Sequence, residues 1–229
     1  DDVCLNIKAG ENIGIIGATG SGKTTLVDLL LRTYNVPDGT LFIDGNDVNG
    51  LKIKDVRTAI AYVPQDNFLF SDTIENNITF ADNRANHSAV EEAAIISDVH
   101  DNITEFSEGY ETVLGERGVT VSGGQKQRIS IARAIIKDAP ILILDDSVSA
   151  VDTNTEKKIL DNLRRTRKGK TTLLIAHRVT AVEQMDKVVF INDGKIAAVG
   201  THDELYNTNK AYHTMVELQR LDEEKEDKQ

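Results

Sequence analysis

A short apolar run, Ile13 to Ile16, leads directly into Gly17-Ala18-Thr19-Gly20-Ser21-Gly22-Lys23-Thr24, after which Leu26, Leu29 and Leu30 recur at helical spacing. Strand, glycine-rich loop and helix in immediate succession are the context that a phosphate-binding loop needs, and they point to an α/β core. The loop fits the pattern G-x-x-x-x-G-K-[ST]. Its glycines let the backbone turn tightly and aim N–H groups at a phosphate, while the helix that follows presents its positive end to the same place. Gly17, Thr19, Gly20, Ser21, Gly22, Lys23, Thr24 and Thr25 are therefore read as the phosphate-binding set. Lys23 would reach the β- and γ-phosphates, Thr24 would bind Mg²⁺, and Thr25 would touch the α-phosphate.

The remaining pattern alternates strands and helices. Thr40 to Asp44, closed by Asp44-Gly45, predicts a strand ending in a turn, and Ala59 to Val63 predicts another, stopped by Pro64. From about Asp66 to Lys137 the period is helical. Ser88 reads as a cap ahead of Val90, Ala93 and Ala94, and Ser122 as the cap of a helix that turns Ile129, Ala132, Ile135 and Ile136 inward. Past Pro140, Ile141 to Leu144 reads as a buried strand, and Leu173 to Ala176 as one more, ending at His177. Val188–Ile191 and Lys195–Val199 flank Asn192-Asp193-Gly194, a hairpin signal, and Thr201 with Glu204 predicts the capping box of a terminal helix. Val3, Leu5 and Ile7 alternate as in a half-buried strand, which would carry Cys4 as an inert thiol. The expected layout is an α/β core over about 1–65 and 138–218, a helical subdomain inserted at about 66–137, and a charge-dense tail at 222–229.

Composition excludes several classes of function. A formal net charge of −11 argues against a broad basic face, so nucleic acid is not an expected partner. A single cysteine rules out an internal disulfide and fits a reducing compartment. No apolar run approaches the roughly 20 residues that a membrane-crossing helix requires, so the chain itself is expected to span no bilayer. Because it opens on Asp1 and not on Met, it reads as a piece of something longer.

Two further segments narrow the reading. Asp145 ends the apolar strand Ile141–Leu144, where a carboxylate has no packing role and a place beside Mg²⁺ explains it. Val121-Ser122-Gly123-Gly124-Gln125 lies between the phosphate loop and that strand. Together, and in this order, the loop, this segment and Ile141–Asp146 make the chain resemble the ATP-binding cassette family from Asp2 to about Leu218. The resemblance implies a P-loop NTPase (RecA-like) core with antiparallel β elements, ATP and Mg²⁺ as cofactors, and ATP sandwiched between two such domains. By the same resemblance Asp146 stands at the general base, His177 at the switch histidine, and Gln65 at the loop that senses Mg²⁺ and the γ-phosphate. Ser122, Gly123, Gly124 and Gln125 match the signature that serves the partner's ATP, and Ser149-Ala150-Val151-Asp152 matches the loop that crosses the dimer interface. Gly115-Glu116-Arg117-Gly118 looks like the exporter-type loop through which Glu116, together with the Gln65 region, would meet the coupling helices of a transmembrane domain. The implied location is the cytoplasmic face of a membrane.

Besides Val121, which replaces the commoner Leu of the signature without expected consequence, the chain departs from the family pattern at two places. Briskly hydrolysing members carry Glu where this chain has Asp146, which is one methylene, about 1.5 Å, shorter. A base has to come within roughly 2.6–3.2 Å of its proton donor, so the substitution predicts a slow site. A good signature beside a weak base resembles one half of a bacterial heterodimeric multidrug exporter, with a non-identical second nucleotide-binding domain. The family also stacks an aromatic on adenine upstream of the phosphate loop, whereas the first aromatic here is Tyr34. Two alternatives stay open: a non-hydrolysing regulatory ATP-binding module, and a soluble nucleic-acid-associated ATPase of the same family.

Overall fold

The computed structural model describes residues 3–115 and 119–226. In chain order the elements are β1 (Asn12–Ile16), α1 (Lys23–Leu30), β2 (Phe42–Ile43), β3 (Asn46–Asp47), α2 (Ile53–Ala59), β4 (Ile60–Val63), α3 (Ile74–Thr79), α4 (His87–Ile96), α5 (His100–Thr104) and α6 (Gly123–Ile136). They continue with β5 (Ile141–Asp145), α7 (Thr153–Thr166), β6 (Thr171–Ala176), α8 (Val179–Val182), β7 (Lys187–Asn192), β8 (Lys195–Gly200), α9 (His202–Thr208) and α10 (Lys210–Glu226). The main sheet has the order β4-β5-β6-β1-β7-β8, parallel throughout except for β8, which returns antiparallel on β7. Among the described residues no helix is long and apolar enough to cross a membrane.

The apolar strand sequences follow from burial on both faces. Ile16, Leu142, Leu144, Leu174, Val188 and Phe190 point into one core, while Ile13, Ile15, Ile143, Leu173, Ile175 and Val189 point into the other. Successive side chains alternate between the two, as the pleat requires. Gly14 lies on the first face because a Cβ there would stand 2.6 Å from the Val182 side chain of α8.

A third core unites the inserted helices. Ile74 and Ile78 of α3, Val90, Ala93 and Ala94 of α4, and Ile103 of α5 pack with Ile129 and Ala132 of α6. The opposite side of α6 sends Ile131 and Ala134 into the sheet core, so this one helix joins both bodies of the fold. A polar nail reinforces the seam. The fully buried Asn77 amide donates to the carbonyls of Phe70 and Thr73 at 3.0 and 2.9 Å and accepts from the Phe70 N–H at 2.8 Å. Arg133 of α6 donates to the Asn77 carbonyl at 2.7 Å, to its side-chain oxygen at 2.9 Å and to the Phe68 carbonyl at 2.8 Å.

Several sequence expectations need correction. Val3 to Ile7 forms no strand among the described residues: Leu5 and Ile7 pack against a core, so the alternation marks a half-buried segment with Cys4 exposed. The strand expected over Thr40–Asp44 shrinks to Phe42–Ile43, and Ala59 closes α2 instead of opening β4. Ser88 lies inside α4, whose cap is Asn86, accepting the Ala89 N–H at 3.0 Å. The terminal helix is two, divided at Asn209, whose side chain accepts from Tyr212 N–H at 2.9 Å. Helix α7 has no counterpart in the sequence reading, although Asp152 caps it on Asn154 and Thr155. Both hairpin turns, Asp44-Gly45 and Asp193-Gly194, hold two residues at positive φ, the type I′ geometry that suits the twist of paired strands.

Replacing Asn77 by Ala strands the Phe70 N–H and part of the Arg133 fork in the interior. The expected cost is about 2–4 kcal/mol, read as a fall in the urea midpoint of the purified protein.

Candidate functional site

The register of the parallel strands builds the site. Ile16 lies opposite Ala176, Asp145 opposite Ile175, and Val63 opposite Leu144, so β1, β6, β5 and β4 all end at nearly the same level. The residues just beyond those ends are Gly17, His177, Asp146 and Gln65, brought side by side from four distant parts of the chain. Open parallel sheets place their ligand crevices at these carboxyl ends.

The loop after β1 is tightly constrained. A Cβ on Gly17 would stand 2.1 Å from the Ile191 carbonyl oxygen of β7 and 2.9 Å from Ser21 Oγ, so no larger residue fits. Gly22 caps α1 at φ 100° with no side-chain hydrogen bond, which leaves the helix's first N–H groups directed at whatever occupies the loop. The Lys23 ammonium donates to the carbonyls of Gly17 and Ala18 at 2.8 and 3.0 Å. Burial pulls its pKa below the ordinary lysine value, opposed by the carboxylates of Asp146 and Asp145. Thr19, Thr24 and Thr25 are exposed at the mouth of the loop, whereas Ser21 is buried with no hydrogen-bond partner for its hydroxyl.

Asp145 is 1% exposed and meets the Thr24 hydroxyl at 3.4 Å and the Tyr62 hydroxyl at 3.3 Å. Burial raises its pKa, the hydrogen bonds from Thr24 and Tyr62 oppose that rise, and neighbouring Asp146 adds to it. A buried carboxylate beside a hydroxyl is a hard oxygen pair that fits Mg²⁺. Thr24 and Asp145 offer two oxygens, so a Mg²⁺ held there would share its other positions with phosphate oxygens and water.

Asp146 takes a left-handed backbone, φ 47°, held by its N–H donating to the Ile175 carbonyl at 2.9 Å and by the Ser149 hydroxyl donating to its own carbonyl at 2.8 Å. Its carboxylate accepts from the Gln65 amide at 3.4 Å, and the same oxygen lies 3.9 Å from His177 Nε2. Gln65 thus stands with Asp146, while Thr24 stands with Asp145. The three groups read as catalytic, Asp146, His177 and Gln65, share one corner next to the phosphate loop.

The signature opens α6. Ser122 and Gln125 close a capping box on α6, the serine hydroxyl accepting from Gln125 N–H at 3.2 Å and Gln125 Oε1 from Ser122 N–H at 2.9 Å. Gly123 faces open space, and a Cβ on Gly124 would approach the Ala150 carbonyl at 3.1 Å, so the segment packs against the Ser149–Asp152 loop. Glu116 lies outside the described residues.

Three residues at the site were not found from the sequence. Tyr62 reaches Asp145 from the neighbouring strand, its phenol pKa pushed up by burial and by that carboxylate. Arg178 donates to the carbonyls of Val148 and Val151 at 3.1 and 3.3 Å and pairs with buried Glu156, tying the His177 turn to the Ser149–Asp152 loop. Gln219 of α10 bonds the backbone on both sides of Arg178. A strand tyrosine, an arginine beside a histidine and a glutamine on a distant helix carry no local sequence signal.

Removing the Tyr62 hydroxyl takes away a bond that favours ionised Asp145, so the Asp145 pKa rises further. Because Mg²⁺ requires the carboxylate, Tyr62→Phe is expected to move the acid limb of Mg²⁺-dependent ATP binding to higher pH, measured by equilibrium titration across pH.

The model of the ABC transporter family matches residues 1–149. A putative multidrug export ATP-binding/permease protein of Bacillus subtilis is 43% identical over 220 residues, covering 96% of this chain and 38% of that protein. An ATP-dependent lipid A-core flippase of Syntrophus aciditrophicus is 42% identical over 218 residues, covering 95% of this chain and 36% of the flippase. The structure of a bacterial Atm1-family ABC exporter with ATP bound superposes with a TM-score of 0.91 at 37% identity, over 95% of this chain and 38% of that one. The chain therefore spans little more than a third of the length of these relatives. With this loop, this sheet and these relatives, the chain belongs to the ABC transporter family.

Proposed function

We propose that this chain is the ATP-binding and ATP-hydrolysing domain of an exporter, standing at the cytoplasmic face of a membrane beside a transmembrane domain. The observation that carries this reading is the convergence of Lys23, Asp145, Asp146, Gln65 and His177 at the carboxyl ends of four parallel strands. The division of labour follows the sheet: residues of about 1–65 and 138–218 form the core, and those of about 66–137 the helical subdomain. The loop N–H groups and Lys23 bind the phosphate chain, and Thr24 and Asp145 hold Mg²⁺, which when bound neutralises developing phosphate charge. Asp146 takes the proton of the attacking water, His177 holds that water in line, and Gln65 links Asp146 to the helical subdomain. Ser122, Gly123, Gly124 and Gln125 complete the site of a second nucleotide-binding domain, their helix N-terminus directed at its γ-phosphate.

The side that would meet the transmembrane domain is an open groove of about 600 Å³ between β4 and the inserted helices. Phe68 and Phe80 stand 64% and 65% exposed beside it, with Arg133 over the Phe70 and Phe80 rings at 5.4 and 5.8 Å. Exposed aromatics rimming a groove lined by Pro64 and Asp66, the neighbours of Gln65, favour the docking of a coupling helix.

Asp146 gives the proposal its finer form. Its short carboxylate is drawn between Gln65 and His177, and this supports a slow own site paired with a faster one on a non-identical partner. In the intact transporter, Lys23→Ala should abolish ATP binding at this site, and Asp146→Glu should raise ATP turnover severalfold, about 1 kcal/mol or more of barrier. Native mass spectrometry should give two different subunit masses. One repeated mass would remove the heterodimer, and ATP retained with no ADP formed in every assembly would assign the chain to non-hydrolysing regulation instead.

A further inference from the structure

The His177 turn is held from behind by a residue forty positions away. Helix α8 opens at Val179 without a side-chain cap: the residue at its capping position, Arg178, has only donors, which go to the carbonyls of Val148 and Val151 and to Glu156. Gln219 of α10 takes over that task. Its Oε1 accepts the Val179 N–H at 2.8 Å, and its Nε2 donates to the His177 carbonyl at 2.7 Å. One amide thus clasps the backbone on both sides of the turn that carries the imidazole. The helix bearing it is firmly seated: Tyr212 is fully buried, its hydroxyl 2.9 Å from His202 Nδ1, and Val216 is 1% exposed.

The imidazole needs such support. Asp146 Oδ2, at 3.9 Å from Nε2, is beyond hydrogen-bond reach, so no bond between the two side chains sets where the ring stands. Its position is inherited from the backbone at residues 177–179. Loss of the clasp leaves a carbonyl and a helix-opening N–H without their partners and lets the turn rotate. A displacement of about 1 Å at a group that aligns a nucleophile is enough to cost up to about a hundredfold in rate.

We infer that Gln219 is a positioning residue for His177, which makes the C-terminal helix α10 a working part of the ATP site. This rests on the reading of His177 as the residue that holds the attacking water. The test uses the intact transporter in the Asp146→Glu background, where hydrolysis at this site contributes to turnover. Gln219→Met keeps the length and packing of the side chain and removes both hydrogen bonds. It should remove most of the severalfold gain in kcat that Asp146→Glu brings and leave KM within about twofold, because nucleotide contacts are untouched. In a His177→Ala transporter the same change should have no further effect, since the clasp acts only through the histidine. Arg220→Ala, the exposed next residue of α10, should leave turnover unchanged.

Equal losses from Gln219→Met with and without His177 would overturn the inference, making the residue a general prop of the fold. A Gln219→Met transporter of native kcat, in a background where His177→Ala is impaired, would also overturn it and leave the role of His177 standing. If His177→Ala itself turns over at the native rate, the assigned role of the histidine falls and the clasp falls with it.

Discussion

The hydrogen-bonded register of four parallel strands is the constraint on which everything else in this chain depends. With Ile16 against Ala176, Asp145 against Ile175 and Val63 against Leu144, four loops leave the sheet at one level and meet. A slip of one residue in any ladder would exchange the two faces of that strand, moving apolar side chains from one core to the other and withdrawing its functional residue from the corner. The two cores above and below the sheet therefore guard the site as much as they stabilise the fold. Each strand is buried on both faces, so its register is specified twice.

A second feature concerns how the inserted helices communicate with that corner. α6 belongs to one sheet core and to the core of the inserted helices, begins at the signature and ends beside the groove of exposed phenylalanines. Its Arg133 binds the Asn77 backbone and side chain and the Phe68 carbonyl, which fixes the groove wall to the helix. A force on the groove can reach the signature along a rigid rod, and Gln65 provides a shorter link from the groove edge to Asp146. The Arg178 fork adds a comparable tie between the His177 turn and the Ser149–Asp152 loop. Such ties are two-ended: each joins an element of the site to one that would face another domain.

The electrostatics of the corner are arranged for charge that arrives with a ligand. Two adjacent carboxylates and one lysine are drawn out of water, the lysine pKa pulled down and that of Asp145 pushed up by burial. The backbone supports the arrangement with a left-handed Asp146, bonded at its N–H to β6 and at its carbonyl to Ser149. Phosphate and Mg²⁺ would relieve both burdens at once, giving Lys23 its anion and Asp145 its cation.

Much of this was written locally. The phosphate loop, strands close to those expected at Ile13–Ile16, Ala59–Val63, Ile141–Leu144 and Leu173–Ala176, the Ser122 cap and both glycine turns could be read from spacing alone, because backbone geometry at a loop, a cap or a type I′ turn depends on a few neighbouring residues. Where the sequence misled, it did so because a local pattern lacked a partner or had a better competitor: Val3–Ile7 alternates but pairs with no strand among the described residues, and Asn86 outcompetes Ser88 at the start of α4. Motif positions identified Lys23, Asp145, Asp146, Gln65 and His177 as candidates. Only the tertiary structure decided that Gln65 stands on Asp146 and Thr24 on Asp145, and that Tyr62, Arg178 and Gln219 support them. Those pairings span tens of residues, and side-chain contacts of that kind are set by how strands and helices stack, which no local run of residues encodes.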